Sequence, residues 1–292
     1  QGYHEGSVWP LFTGWTALAA YAYGNSVQGF TLMSETMDVE SHWAAGFVQE
    51  VLNGAVYAPS GVCPHQCWSE TAILHPGASG MIGWHPDATT MTAGLCPRFP
   101  VNWDRVRIRN LRVGGSTLDL SFERTTGLAR YGLRLTSGSP VTIDIRPEIP
   151  AGAVVTGFSV NGDPTPHPTE TARGILAAPI RVTVRDSADV QVSEEGGVGV
   201  VPPLPAPVPG DSSAGFRFIG ATLRGRDYAL DLEGRPGSIG EISVRLLGGV
   251  VDSVSGGSIA AAGDRGVVEL RVQFARSSAR RCPARVVAHL RQ

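Results

Sequence analysis

The sequence contains no lysine: all 24 basic residues are arginine, and none precedes Arg98. Seven acids stand alone before that point (Glu5, Glu35, Asp38, Glu40, Glu50, Glu70 and Asp87), so the first third is formally −7. The remainder sets 24 arginines against 19 acids. An acidic segment without cations is a poor binder of phosphate or nucleic acid, which are recognised chiefly through Lys and Arg. No apolar run reaches the ~20 residues of a transmembrane helix, and no basic leader precedes an apolar core. Cysteine is sparse, with only Cys63, Cys67, Cys96 and Cys282. Cys63 and Cys67 form a C-x3-C with His65 between them, but the second half of a zinc pattern is missing. No metal or other cofactor is therefore expected, and the thiols are expected to be free and buried. Disulfides Cys63–Cys67 or Cys67–Cys96 would require export. The compartment stays open, because the chain lacks an initiator methionine, starts inside a motif and reads as a fragment of something longer.

What is present divides into textures. The 292 residues, 42% hydrophobic and 17% charged, suit one large or two to three small domains. Five of the six tryptophans (Trp9, Trp15, Trp43, Trp68, Trp84) and all four methionines lie in the acidic first third. Rings and carboxylates without cations suit a neutral polyhydroxylated ligand, whose C–H faces lie on rings while its hydroxyls donate to carboxylates.

The opening stretch sets the pattern. Gly2 and Gly6 bracket Tyr3, His4 and Glu5, and Ser7 offers an N-cap oxygen ahead of Pro10 in a first helical turn. Leu11, Trp15, Leu18, Ala19 and Ala22 then follow helical spacing up to Gly24, a natural stop. On physics alone this is equally a helix start with an incidental Tyr-His-Glu. A second helix is expected over 26–42, with Phe30, Met33 and Met37 on one face. A long irregular connection follows over 44–64, and loops of that length are usually functional or disordered. A third helix is expected over 64–81, with Trp68, Ala72 and Ile73 on its apolar side and a bend or break at Pro76.

From Leu95 onward, strand-like runs recur every 8 to 12 residues between turn signals, the spacing of an antiparallel β-sandwich. They cover 106–113, 117–124, 131–136, 141–145, 154–160 and 180–184. Pro202, Pro203, Pro205, Pro207 and Pro209 mark an extended spacer. Further runs at 216–223, 228–233, 242–247, 250–254, 267–274 and 286–290 suggest a second, smaller sandwich. The expected division is a helical segment over 1–94, a sandwich over 95–196, a linker over 197–214 and a second small sandwich over 215–292.

Tyr-His-x-Gly-Ser-Val-Trp-Pro at 3–10, followed about sixty residues later by Cys63-Pro64-His65-Gln66-Cys67-Trp68-Ser69, resembles the C-terminal end of a glycoside hydrolase catalytic domain. The type is the (α/α)6 toroid of the amylo-alpha-1,6-glucosidase (glycogen-debranching) and mannosylglycerate hydrolase-like group. The resemblance covers roughly residues 1–95; beyond them lies a vaguer likeness to the β-rich tails of such enzymes. It implies that the helices are the last ones of a partial toroid, with an oligosaccharide or polysaccharide as substrate and the missing N-terminal part of the same polypeptide as partner.

Inverting hydrolysis needs two carboxyl groups about 6.5–9.5 Å apart, one protonated and one ionised to activate water. The candidates in the acidic third are Glu5, Glu50 and Glu70. Val48-Gln49-Glu50-Val51-Leu52-Asn53-Gly54 ahead of Pro64-His65-Gln66-Cys67-Trp68 is similar to the family's Glu-Leu-x-x-Gly segment before its Pro-x-Gln-x-Trp helix start. That resemblance implies Glu50 as general base. The sequence departs from the pattern at Val51, and it lacks the proline usually just ahead of the glutamate. Glu5 holds a position that varies in the family and is assigned to substrate contact with Tyr3, His4, Trp9, Gln66 and Trp68. Glu70 reads as a surface or helix-packing carboxylate. The resemblance places the general acid, an aspartate, upstream of this chain, so the fragment alone is expected to be inactive. The alternatives are a non-catalytic carbohydrate-binding or structural β-sandwich fragment, and a toroid phosphorylase, which should offer cations for phosphate.

Overall fold

A computed structural model describes residues 2–43, 46–166, 168–204, 206–212 and 215–291. Three helices come first: α1 (Pro10–Ala22), α2 (Ser26–His42) and α3 (Cys67–His75). Pro10 occupies the first turn of α1, where its missing N–H costs nothing. The side of α1 that packs is not the expected one. Gly14, Ala17, Ala20 and Tyr21 are buried, whereas Trp15 is 57% exposed and Ala19 and Ala22 face solvent. The small residues let α1 and α3 approach backbone to backbone; Tyr21 is buried with them, while Phe12 and Trp15 are left outside. On α2, Phe30 and Met33 are buried as expected, but Met37 is turned out while Thr36 and Val39 are turned in. The third helix starts at Cys67, three residues after its expected start, and Pro76 converts its continuation into a π-helical stretch (Pro76–Ile82). That is a recognised response to an interrupted hydrogen-bond ladder.

The strand texture begins at Trp84, ahead of the expected boundary at 95. Trp84–Asp87 and Thr92–Leu95 form a hairpin that joins the first sandwich, in the order Ile180–Val184, Val141–Ile145, Thr92–Leu95, Trp84–Asp87. The second sheet has six strands, in the order Asp163–Pro164, Val154–Val160, Ser187–Glu195, Leu128–Ser137, Ser116–Thr125, Arg105–Val113. One pair departs from the antiparallel expectation: Thr92–Leu95 runs parallel to Val141–Ile145. Three strands of the other sheet lie between them in sequence, which is the crossover that a parallel pair requires. Ser187–Glu195 escapes the sequence reading because four of its nine residues are Asp, Gln or Glu. It alternates all the same, burying Ala188, Val190, Val192 and Glu194. Leu118, Leu120 and Phe122 meet Ile143, Ile145 and Val182 in the core between the two sheets.

The second sandwich pairs Val198–Val200, Ile239–Leu246, Val267–Gln273 and Ser258–Ala262 against Phe216–Arg224, Asp227–Gly234, Cys282–Arg291 and Val250–Ser255. Its first strand thus comes from the segment expected to be linker. Tyr228, Leu230 and Leu232 pack on Val244, Leu270 and Val272. The only helix within either β region, among the described residues, is the single turn Asp264–Gly266. The rest of the linker crosses back to the helical unit: Tyr57 N–H donates to Asp211 O at 2.7 Å, and Gly210 N–H donates to Tyr57 O at 2.8 Å. Pro205 of the expected spacer, and residues 44 and 45 of the expected long connection, lie outside the described residues.

Both sandwiches carry Arg–Asp or Arg–Glu pairs across neighbouring strands, most of them exposed and so worth little individually. No helix among the described residues is long and apolar enough to cross a membrane. The four cysteines are free, but Cys63 and Cys67 are exposed, Cys96 is half-buried and only Cys282 is buried. The expectation of buried thiols therefore fails for the C-x3-C pair, which sits at the surface where the loop enters α3.

Candidate functional site

The opening motif and the long connection are brought together by a two-residue antiparallel pairing, with Ser7 opposite Asn53 and Val8 opposite Leu52. Asn53 Oδ1 accepts the N–H groups of Ala55 and Val56, closing an Asx-type turn. The chain then returns through a bridge between Leu52 and Pro59. Two backbone bonds fasten the loop to the start of α3: Glu50 N–H to Cys63 O and Gln66 N–H to Val48 O, each 3.0 Å. The middle of the connection is therefore not solvated, although residues 60–64 remain exposed. Val48, Gln49, Glu50, Val51 and Leu52 are all buried.

Glu50 is 7% exposed, and the Tyr3 hydroxyl donates to its Oε1 at 2.6 Å. That hydrogen bond, reinforced by burial and by the charge of Glu50, pushes the Tyr3 phenol up to about 12. Tyr3 therefore remains a neutral donor throughout the physiological range. It holds one carboxylate oxygen and leaves Oε2 without a hydrogen bond among the described residues.

Around this pair the rings form a continuous series. The Tyr3 ring lies edge-on to His4 at 4.7 Å and to Trp9 at 4.8 Å, and His4 stacks on Trp9 at 5.7 Å with 9° between planes. The series continues through Phe12 to Trp15, both more than half exposed. This is an aromatic surface joined through Tyr3 to a buried carboxylate, in a part of the chain without cations.

The remaining expected residues are placed less closely. Gln66 precedes the first turn of α3, tied to Val48 through its backbone, with its side chain half-buried. Trp68 lies in the first turn of α3, 43% exposed, and joins no ring pair among the described residues. Glu5 is exposed, its backbone N–H bonded to Gly2 O. Glu70 Oε1 lies 2.9 Å from His65 Nε2 without hydrogen-bond geometry, and Phe47 packs against the His65 ring at 4.2 Å.

Two features of the site escape the sequence reading. Cys63 O accepts the Glu50 N–H and so helps to place the carboxylate, although the sequence offered Cys63 only as a possible metal or disulfide partner. Gln49, next to Glu50 in the chain, buries its Oε1 with no hydrogen-bond partner among the described residues. No group of three or more His, Cys, Asp or Glu among the described residues is arranged to hold a metal.

No protein-family model matches the chain, and no curated protein matches it. Among solved structures it is similar to a GH127 β-L-arabinofuranosidase from Geobacillus stearothermophilus T6, with 12% identity and a TM-score of 0.34 over 91% of this chain and 43% of that one. It is also similar to an α-L-rhamnosidase from Dictyoglomus thermophilum, with 11% identity and a TM-score of 0.31 over 45% and 14% of the two chains. A third, named only as a glycoside hydrolase, is 10% identical with a TM-score of 0.37 over 97% and 51%. The chain thus spans about half or less of the length of these proteins. At such identities and TM-scores the likenesses decide neither activity nor substrate.

Proposed function

We propose that this chain is the C-terminal part of an inverting glycoside hydrolase acting on α-glucosidic linkages of the glycogen or oligosaccharide type. In this reading Glu50 is the general base, and the helices are the last elements of an (α/α)6 toroid. The carrying observation is the buried Glu50 carboxylate, held through one oxygen by Tyr3 at the foot of an aromatic series. A general base must present a free oxygen to a water on the face of the sugar opposite the acid. Oε2 is that oxygen, and Tyr3 fixes the direction in which it points.

His4, Trp9 and Trp68 then offer faces to the C–H surface of a sugar, while the Gln66 amide and the Glu5 carboxylate meet its hydroxyls. The acid comes from a segment upstream of residue 1. The exposed Phe12, Trp15, Trp68 and Leu74 on α1 and α3 support such a segment, since apolar surface of this extent marks a partner. A phosphorylase is disfavoured by the absence of lysine and arginine from the whole stretch before Arg98 that supplies these residues.

The test is proton NMR of the product first released by the complete polypeptide. From an α-linked glucan, inversion gives the β-anomer. The α-anomer would overturn the mechanism, and no release from any α-glucan would overturn the substrate class.

A further inference from the structure

The outer face of the six-stranded sheet carries a depression of about 520 Å³ that plays no part in the Glu50 site. The strand register explains its shape. In the middle row Arg107 stands opposite Ser121, Ser121 opposite Gly132, and Gly132 opposite Asp189. On one side runs a row of long side chains, Arg105, Glu123, Arg130 and Gln191; on the other runs a row including Asp119 and Arg134. A hydroxymethyl group and a hydrogen therefore form the floor between two raised walls. The result is a trench across the sheet whose floor is low over two strands, about 5 Å at the usual strand spacing, with Arg107 and Asp189 standing at its two ends.

The chemistry of the walls is mixed but biased. Five arginines line the depression (Arg105, Arg107, Arg109, Arg130 and Arg134) against three acids, Asp119, Glu123 and Asp189. Arg130 meets Asp189 at 2.6 Å and Arg134 meets Asp119 at 2.8 Å, so two of the five arginines already face a carboxylate. Arg105, Arg107 and Arg109 are exposed and form no ion pair among the described residues. No ring is offered to a ligand, since the only aromatic in the lining, Phe122, is buried in the core.

We propose that this trench is a binding groove for a linear anionic polysaccharide. The unpaired guanidinium groups take the carboxylates or sulfates of the chain in forked hydrogen bonds. Asp119, Glu123 and Asp189 accept from its hydroxyls, and the low floor at Ser121 and Gly132 admits the backbone of the glycan. Nucleic acid fits less well, because there is no stacking platform and three carboxylates would face a dense row of phosphates. A neutral glucan would find neither rings nor a use for the excess positive charge. The groove is independent of Glu50 and of any hydrolytic activity.

The test is calorimetric titration of the full chain with polygalacturonate, dextran sulfate, glycogen and single-stranded DNA. Each is run at low and physiological salt, with the R105A/R107A double variant in parallel. Both substitutions are on exposed side chains, and the circular dichroism spectrum of the variant should match that of the parent. An R181A/R285A variant, also lacking two exposed arginines, controls for net charge. The expected result is binding of polygalacturonate or dextran sulfate that weakens with salt. It should fall roughly tenfold in R105A/R107A and much less in R181A/R285A. Which of the two polymers binds identifies carboxylate or sulfate as the recognised group. Absence of binding to both, an equal loss in the two variants, or tighter binding of the DNA with the same arginine dependence would each overturn the proposal.

Discussion

Gly14 of α1 lies so close to Ala72 of α3 that a β-carbon at position 14 would come within 2.4 Å of the Ala72 β-carbon. The two helices carry the flanks of the candidate site, Trp9 just ahead of α1 and Gln66 just ahead of α3. Gly14→Val should force them apart and cost about 1–3 kcal/mol, as overpacking of a tight contact does. A shift in the urea midpoint checks this. An unchanged midpoint would mean that the helices separate freely.

A second contact fastens the helical unit to the first sandwich: Ser26 Oγ, at the start of α2, donates to Glu148 Oε1 at 2.6 Å. Burial pushes the Glu148 carboxyl above its ordinary 4.5, against the opposing pull of Ser26, Arg98 and Arg124. A carboxyl raised in the folded state holds its proton there at a pH where the unfolded chain has released it. Its contribution to stability is thus full below about 4.5 and lost as pH rises through the folded value. Glu148→Gln keeps an oxygen for Ser26 and should flatten that part of the pH–stability curve, raising the midpoint at neutral pH. Thermal unfolding across a pH series is the check; a parallel curve for the variant would contradict the assignment.

Between the two sandwiches, Arg245 donates to Asp104 Oδ1 at 2.6 Å and to Val101 O at 2.9 Å, and Arg265 reaches Asp104 Oδ2 at 2.9 Å. Burial acts to raise the Asp104 carboxyl, but the two guanidinium groups outweigh it and hold it below its ordinary 3.8. This contribution is present above 3.8 and is lost as pH falls through the lower folded value. Asp104→Ala leaves the largely buried Arg245 partly unpaired and should cost about 1–3 kcal/mol. Loss of coupling between the unfolding of the two sandwiches would accompany it in calorimetry.

Much of this was legible in the residues. Period-two alternation located most strands of both sandwiches, and the turn glycines separated them. What failed did so for physical reasons. Ser187–Glu195 hides its alternation under acids, one of which, Glu194, is buried. Val198–Val200 is too short to register beside a run of prolines. The packed face of α1 was misread because bulk usually marks the inside, whereas here Gly14, Ala17 and Ala20 share it with Tyr21 alone among the large residues. For the site, the two motifs located Tyr3 and Glu50, 47 positions apart, and the structure joins them. The packing of Phe47 on His65 depends on the return of the 46–64 segment, which no local pattern encodes.

The side chains around Glu50 should divide by what they affect. In the complete polypeptide, Tyr3→Phe removes the donor to Oε1 and should lower turnover while leaving binding near its original strength. Trp68→Ala and Tyr3→Ala, which remove ring surface, should weaken binding as well. Steady-state kinetics alongside direct titration of an oligosaccharide separates the two effects. A Trp68→Ala variant with unaltered affinity would remove Trp68 from the sugar-binding surface.

The role of Glu50 itself is tested most directly by Glu50→Gln in the complete polypeptide, comparing kcat on an α-glucan with the Kd for the same oligosaccharide. Loss of a general base should lower kcat by roughly 10²–10⁴-fold, with Kd close to unchanged because Gln keeps the shape and an acceptor for Tyr3. Turnover within a few-fold of the parent would contradict the assignment and pass the role to the exposed Glu5.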